Sequence, residues 1–375
     1  MEIINARSPY FVEEIAVSKD YIKCEIFIYQ GESIIDRPTV TYTLTQRTPT
    51  DSYYAFEISE LIRDYLDVQF NGQYISNMVW VDYRFTTGTD VGGDDTPTTY
   101  MICEAYDGYG YFQEGAQREY GQINEGKLLQ SNTLIIKPQN RSIRIPIRQD
   151  STYSVDLSYK SDLITTYSLV NEIDDGDRIA YLHDHIGYEY DTYKERVVNS
   201  SGTYEGSNCL DNLLGLFDFT PIDRVLIDDD VEINIQSIKE CKHEPIKATF
   251  VNKFGALQDI WFFKRNLVAF NTSSSDFSSN IVNTGAWDAT RHRNVVYGLN
   301  GRESIVLNSG YYPEEYNEVF KQLLLSEKVW LELDGMTRPV NISTKTMNFK
   351  TQLTEKLIEY AIKFDFSNDI INNIR

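Results

Sequence analysis

Over much of this chain apolar and polar residues alternate with the period of two that marks a strand with one face in a core. Cys24, Ile26 and Ile28 alternate with Lys23, Glu25 and Phe27, and Thr39-Val-Thr-Tyr-Thr-Leu-Thr45 carries a threonine at every second position. The first run predicts a buried face and the second a solvated one. Val79, Val81, Tyr83 and Phe85 share one face of a strand expected from Met78 to Phe85. Tyr153-Ser-Val-Asp-Leu-Ser-Tyr159 and the run from Ile164 to Val170 restart the same rhythm. Strands are also expected from Asp223 to Ile227 and from Val231 to Ile238, turning through Asp228-Asp-Asp230.

Helical spacing is rare. Leu61, Ile62, Tyr65 and Leu66 recur as on one helix face, so a short helix is expected from Glu60 to about Val68 with Ser59 as its N-cap. Pro313 opens a second helix through Leu325, with Tyr316, Phe320, Leu323 and Leu324 on one side. Asn132 to Pro138 and Ser142 to Ile147 predict a hairpin. Asn300-Gly301 predicts another, and Asp334-Gly335 a third between Val329 and Ile342. Ile358, Tyr360, Ile362, Phe364 and Phe366 predict one long half-buried strand.

Two stretches interrupt the rhythm. Thr87 to Thr99 is rich in Gly, Asp and Thr and reads as a mobile surface loop. Asp107-Gly-Tyr-Gly-Tyr-Phe-Gln-Glu-Gly115 is an aromatic loop, and its rings either meet a partner or fold back onto a sheet. The predicted fold is mainly β: tandem β-sandwich-like domains with a few short helices, one near 60–68 and one near 313–325. Three domains are expected, at about 1–148, 149–245 and 246–375.

Composition narrows the function more than the fold. The 375 residues carry a formal net charge of -21, which opposes direct nucleic-acid binding and attraction to an anionic membrane surface. No basic start followed by an apolar run marks a secretion signal, so synthesis in a cytoplasm is expected. The four cysteines, Cys24, Cys103, Cys209 and Cys241, are far apart and are expected as buried free thiols. Twenty-seven tyrosines suit sheet faces and protein interfaces alike.

Sites for chemistry are incomplete. Gly121-Gln-Ile-Asn-Glu-Gly-Lys-Leu128 nearly matches a phosphate loop, but Leu128 stands where a magnesium-holding Ser or Thr is needed. His183 with His185, and Cys241 with His243, offer two zinc ligands each where a structural site takes four. Asp90 to Asp95, Asp174 to Asp177 and Asp228 to Asp230 lack the twelve-residue calcium-loop pattern and read as solvated turns. No cofactor, metal or catalytic residue is assigned, and the chain is expected not to be an enzyme. A glycoside hydrolase would need two carboxylates that meet only in space. A carbohydrate-binding or adhesin β-sandwich would stack Trp80, Trp261 and Trp287 on sugars.

The most distinctive segment is Thr249-Phe-Val-Asn-Lys-Phe-Gly-Ala-Leu-Gln-Asp-Ile-Trp-Phe-Phe-Lys-Arg265, with a glycine and clustered aromatics between basic ends. Phe254, Trp261 and Phe263 are expected as core anchors and Gly255 as a tight turn. Together with Pro245-Ile-Lys-Ala before it, this segment resembles virion proteins of crAss-like tailed bacteriophages of gut Bacteroidetes hosts, as does Asn5-Ala-Arg-Ser-Pro-Tyr-Phe-Val12. The two segments cover under a tenth of the chain. The C-terminal order of helix, strand, Asp-Gly hairpin and strand is similar to neck and tail components of tailed phages. The resemblance implies a non-enzymatic ring or hub subunit of a short tail or neck, located in the virion. Its implied partners are copies of itself and other tail or neck proteins. Interface candidates are Lys253, Lys264, Arg265, Tyr109, Tyr111 and Phe112. The three basic residues are expected to pair with an acidic neighbouring subunit, and the loop at Thr87 to Thr99 and that at Asp107 to Gly115 to order on assembly.

Overall fold

The computed structural model describes residues 2–30, 37–47, 53–74, 78–114, 128–139, 141, 144–148, 153–160, 162–169, 179–183, 198–199, 202–203, 222–280, 282–283, 286–287, 290–348 and 357–371. The protein is mainly β, as its alternation requires. It divides into two compact units, residues 1–239 with 249–260, and residues 240–248 with 261–375. The division passes through the hairpin of Ile246–Val251 and Leu257–Phe262.

The first unit begins with a sheet ordered Glu2–Asn5, Met101–Tyr106, Met78–Thr89, Tyr21–Tyr29, Tyr42–Arg47. Only the Glu2–Asn5 pairing is parallel. The period-two reading holds here: Ile22, Cys24, Ile26 and Ile28 share a core with Val79, Val81, Tyr83 and Phe85. The covering layer is the antiparallel pair of Phe11–Ile15 with Tyr53–Glu57 and the helix Ser59–Arg63, which contribute Val12, Tyr54, Phe56 and Ile62. That helix is shorter than expected. Ile58 occupies the N-cap position, and the Ser59 hydroxyl is taken by the Glu57 carboxylate.

A second sheet of this unit runs Gly202–Thr203, Val198–Asn199, Asp162–Leu169, Tyr153–Tyr159, Arg224–Ile227, Val231–Ile238, Leu134–Pro138. Its core joins Val155, Leu157, Val225, Ile227, Ile233 and Ile235 to Ile145 and Ile147. The expected Asp228-Asp-Asp230 turn is present, with Asp228 and Asp229 at φ 48° and 58°. The expected hairpin from Asn132 to Ile147 is not. Leu134–Pro138 pairs in parallel with Val231–Ile238, whereas Arg144–Arg148 pairs with Ile179–His183 in a separate sheet. Each run found a longer-range partner that buries its isoleucines, and proximity in sequence did not decide the pairing. Both pairings cross residue 148, where a domain boundary was expected.

In the second unit, the sheet continues from Ile246–Val251 through Val329–Leu333, Met336–Ile342, Ala361–Phe366, Asn294–Asn308 and Leu267–Ser278. The Asp334-Gly335 turn forms as read, with φ of 53° and 71°. The predicted C-terminal strand is split into Leu357–Ile358 and Ala361–Phe366, although its alternating face is buried throughout. A single 3-10 turn, Glu314–Tyr316, leads into the helix Asn317–Leu325. Phe320 on that helix packs against Tyr312 and Tyr360 edge-on, and the Tyr312 hydroxyl donates to the Trp261 carbonyl at 2.6 Å.

Asn300-Gly301 does not turn. Asn294–Asn308 runs straight through it as one 15-residue strand antiparallel to Leu267–Ser278. A hairpin turn of this kind needs positive φ at both residues, but the positive φ lies at Gly298 (62°), opposite a register shift between Ser273 and Ser275. Gly301 serves a different purpose: a Cβ there would sit 2.4 Å from Cζ of Phe270, whose ring covers the glycine.

Candidate interaction surface

Four of the six interface candidates meet at one place in the first unit. The turn at 252–256 is shaped by Asn252, whose Oδ1 accepts from the Phe254 and Ala256 amides at 2.9 and 3.1 Å. Its Nδ2 donates to the Leu129 carbonyl at 2.7 Å and to Gln258 Oε1 at 3.1 Å. Gln258 Nε2 in turn donates to Asn132 Oδ1 at 3.0 Å. These carboxamides are buried and mutually satisfied, the condition under which a polar network fixes one conformation.

The turn holds the aromatic loop. The Tyr109 amide donates to the Lys253 carbonyl at 2.8 Å. Gly255, at φ 78°, lets the turn lie so close that a Cβ would stand 2.8 Å from Cβ of Tyr106. The Lys253 ammonium is taken by Glu114 and lies 4.5 Å over the Tyr111 ring. From the other side, the Gly110 amide donates to Ser8 Oγ at 2.7 Å, the Arg7 amide to the Gly108 carbonyl at 3.0 Å, and the Arg7 guanidinium lies 4.8 Å from the Tyr109 ring centroid. Tyr109 is buried, so the loop folds back at that ring. At Phe112 it points outward, the residue being 97% exposed.

Lys253 is therefore buried in an internal ion pair and is not presented to a neighbour. Lys264 is also engaged within the chain, 2.8 Å from the Glu240 carboxylate. That contact, helped by the Lys242 amide, lowers the Glu240 carboxyl from its ordinary 4.5 to about 2. Arg265 is exposed and stands two residues before Leu267–Ser278. Of the expected core anchors, Trp261 and Phe263 are buried while Phe254 is half-buried.

The Thr87 to Thr99 stretch is ordered within the chain itself, contrary to expectation. Thr87 to Thr89 end the strand Met78–Thr89, and Gly93–Asp94 pairs back on it. Asp94 accepts from Lys23 and from the Tyr21 hydroxyl at 2.7 and 2.6 Å, and Asp95 pairs with Lys19 at 2.7 Å. Lys23 on the neighbouring strand Tyr21–Tyr29 and Lys19 just before it supply the cations, which the loop's own sequence does not reveal.

Asp228 of the acidic turn at Asp228 to Asp230 accepts from the Ser154 amide at 2.6 Å. The phosphate-loop-like run at 121–127, Asp174 to Asp177, His185 and Cys209 lie outside the described residues. Cys24 and Cys103 are buried free thiols, as expected; Cys241 is free but exposed. Trp80 is buried, stacked 6.5 Å from Tyr29, and Trp261 is buried too, so neither offers a ring face to a sugar. Among the described residues no three His, Cys, Asp or Glu side chains group as metal ligands, and no helix is long and apolar enough to cross a membrane.

No protein-family description matches the chain, and no curated protein matches it. A solved structure, described as the crystal structure of CBD12 from CALX1.2, aligns with 48% of this chain and 70% of its own at 9% identity. Its TM-score of 0.17 is too low to carry an argument.

Proposed function

We propose that this chain is a non-enzymatic structural subunit of a bacteriophage virion, a ring or hub component of the short tail or neck of a crAss-like phage. The observation that carries the reading is the convergence at one locus of the two segments that resemble such virion proteins. Asn5 to Val12 supplies Arg7 and Ser8; Pro245 to Arg265 supplies Asn252, Lys253 and Gly255; between them they grip the loop that ends in Phe112. A fully exposed phenylalanine on a loop held this firmly is a preordered anchor, which a partner binds without first ordering the loop.

The test is incorporation. Phe112→Ser should leave the monomer's melting temperature unchanged while lowering the amount of the chain in purified particles, measured by quantitative mass spectrometry. Particles that never contain the wild-type chain overturn the reading.

A further inference from the structure

The second unit carries an element that its own core does not use. Leu267–Ser278 is exposed at every residue, and the outer half of Asn294–Asn308 is nearly so. Past Ser304, where the pairing with Ala361–Phe366 ends, they form a two-stranded ribbon about 30 Å long, which continues into the pairing of Val282–Asn283 with Ala286–Trp287. At its base Ile305 and Leu307 are buried while Val268, paired with Ile305, is 56% exposed, and further out Val296 and Leu299 are 56% and 52% exposed. A two-stranded ribbon wet on both faces is marginal by itself.

Its outer strand is also bare. Leu267–Ser278 closes the strand order of the sheet among the described residues. Natural edge strands are blunted by Lys, inward charges or proline. This one has neither lysine nor proline and a single charge, Asp276, in 12 residues.

Charge selects the occupant. Residues 265–301 hold three arginines (Arg265, Arg291, Arg293) and two aspartates (Asp276, Asp288), a net +1, in a chain whose total is -21. The remainder of the chain therefore carries -22. Arg291 and Arg293 are exposed at the far end of the ribbon. Two ribbons facing each other would not be complementary, whereas a ribbon against the acidic remainder of another copy would be.

We propose that the ribbon is a docking arm for a second copy of this chain, its bare edge and apolar side chains lying along the acidic surface of the neighbour, head to tail, with Arg291 and Arg293 at the far end. Contacts of this heterologous kind close into rings or run on as filaments. The proposal rests on the reading of the chain as an assembly subunit and names the element and the partner.

Sedimentation equilibrium of the full chain at low and high salt tests it. Wild type should self-associate, more weakly as salt rises. Arg291→Glu with Arg293→Glu should weaken association roughly tenfold, and Val268→Thr, Val296→Thr, Leu299→Thr should weaken it further while keeping the strand-forming tendency. Thermal melts of each variant confirm folding. A wild type that stays monomeric, or variants that associate as wild type does, overturn the arm. Particle content is scored separately: a monomeric wild type found in particles overturns the arm alone. A wild type that self-associates through the ribbon yet is absent from particles upholds the arm and overturns the virion reading.

Discussion

Asn252 does what no strand pairing could at the 252–256 turn: one side chain satisfies two amides, one carbonyl and one carboxamide that would otherwise be buried unpaired. Asn252→Ala should cost about 2–4 kcal/mol of unfolding free energy, since several buried groups lose their partner at once. Gly255→Ala should cost about 1–3 kcal/mol through its positive φ and the close approach of Tyr106. Urea denaturation measures both. Glu240 provides a pH signature. Its carboxyl titrates lower in the folded chain than at its ordinary 4.5, so the stabilisation is present above that value and is lost as pH falls toward about 2. Acid titration of the melting temperature should show a loss in that window that Lys264→Met lacks. The turn at Gly255 was legible in the sequence because glycine among aromatics has few other purposes. The internal partners of Lys253 and Lys264 were not, because Glu114 is 139 residues from the first and Glu240 is 24 from the second.

At the scale of elements, legibility followed burial. Tyr21–Tyr29 and Met78–Thr89 each place one face in a core, so their alternation was readable and correct. Asp334-Gly335 was readable because both residues take the positive φ that their types permit. The outer strand of the ribbon, Leu267–Ser278, was not readable, because a strand wet on both faces has no apolar period. Asn300-Gly301 misled for a related reason, since its glycine answers to a ring across the ladder. The helix Asn317–Leu325 was legible because Phe320 and Leu323 share a face that the core covers. Phe320→Ala removes a fully buried ring from among Tyr312 and Tyr360 and should cost about 3–5 kcal/mol, read from thermal or denaturant unfolding.

At the scale of the whole molecule, large exposed apolar side chains gather on the ribbon, and Phe112 stands exposed on its loop. Phe112 and the ribbon hold large exposed apolar side chains on backbone that the chain itself keeps ordered. Such surfaces on an acidic chain suit a part that is made separately and then built into something larger. Electron microscopy of purified particles, with the chain located by fitting its two units into the density, tests this most directly. The account predicts several copies arranged in a ring at the neck or short tail, each contacting the next. Particles with no density for the chain, together with a strictly monomeric protein in solution, would contradict it.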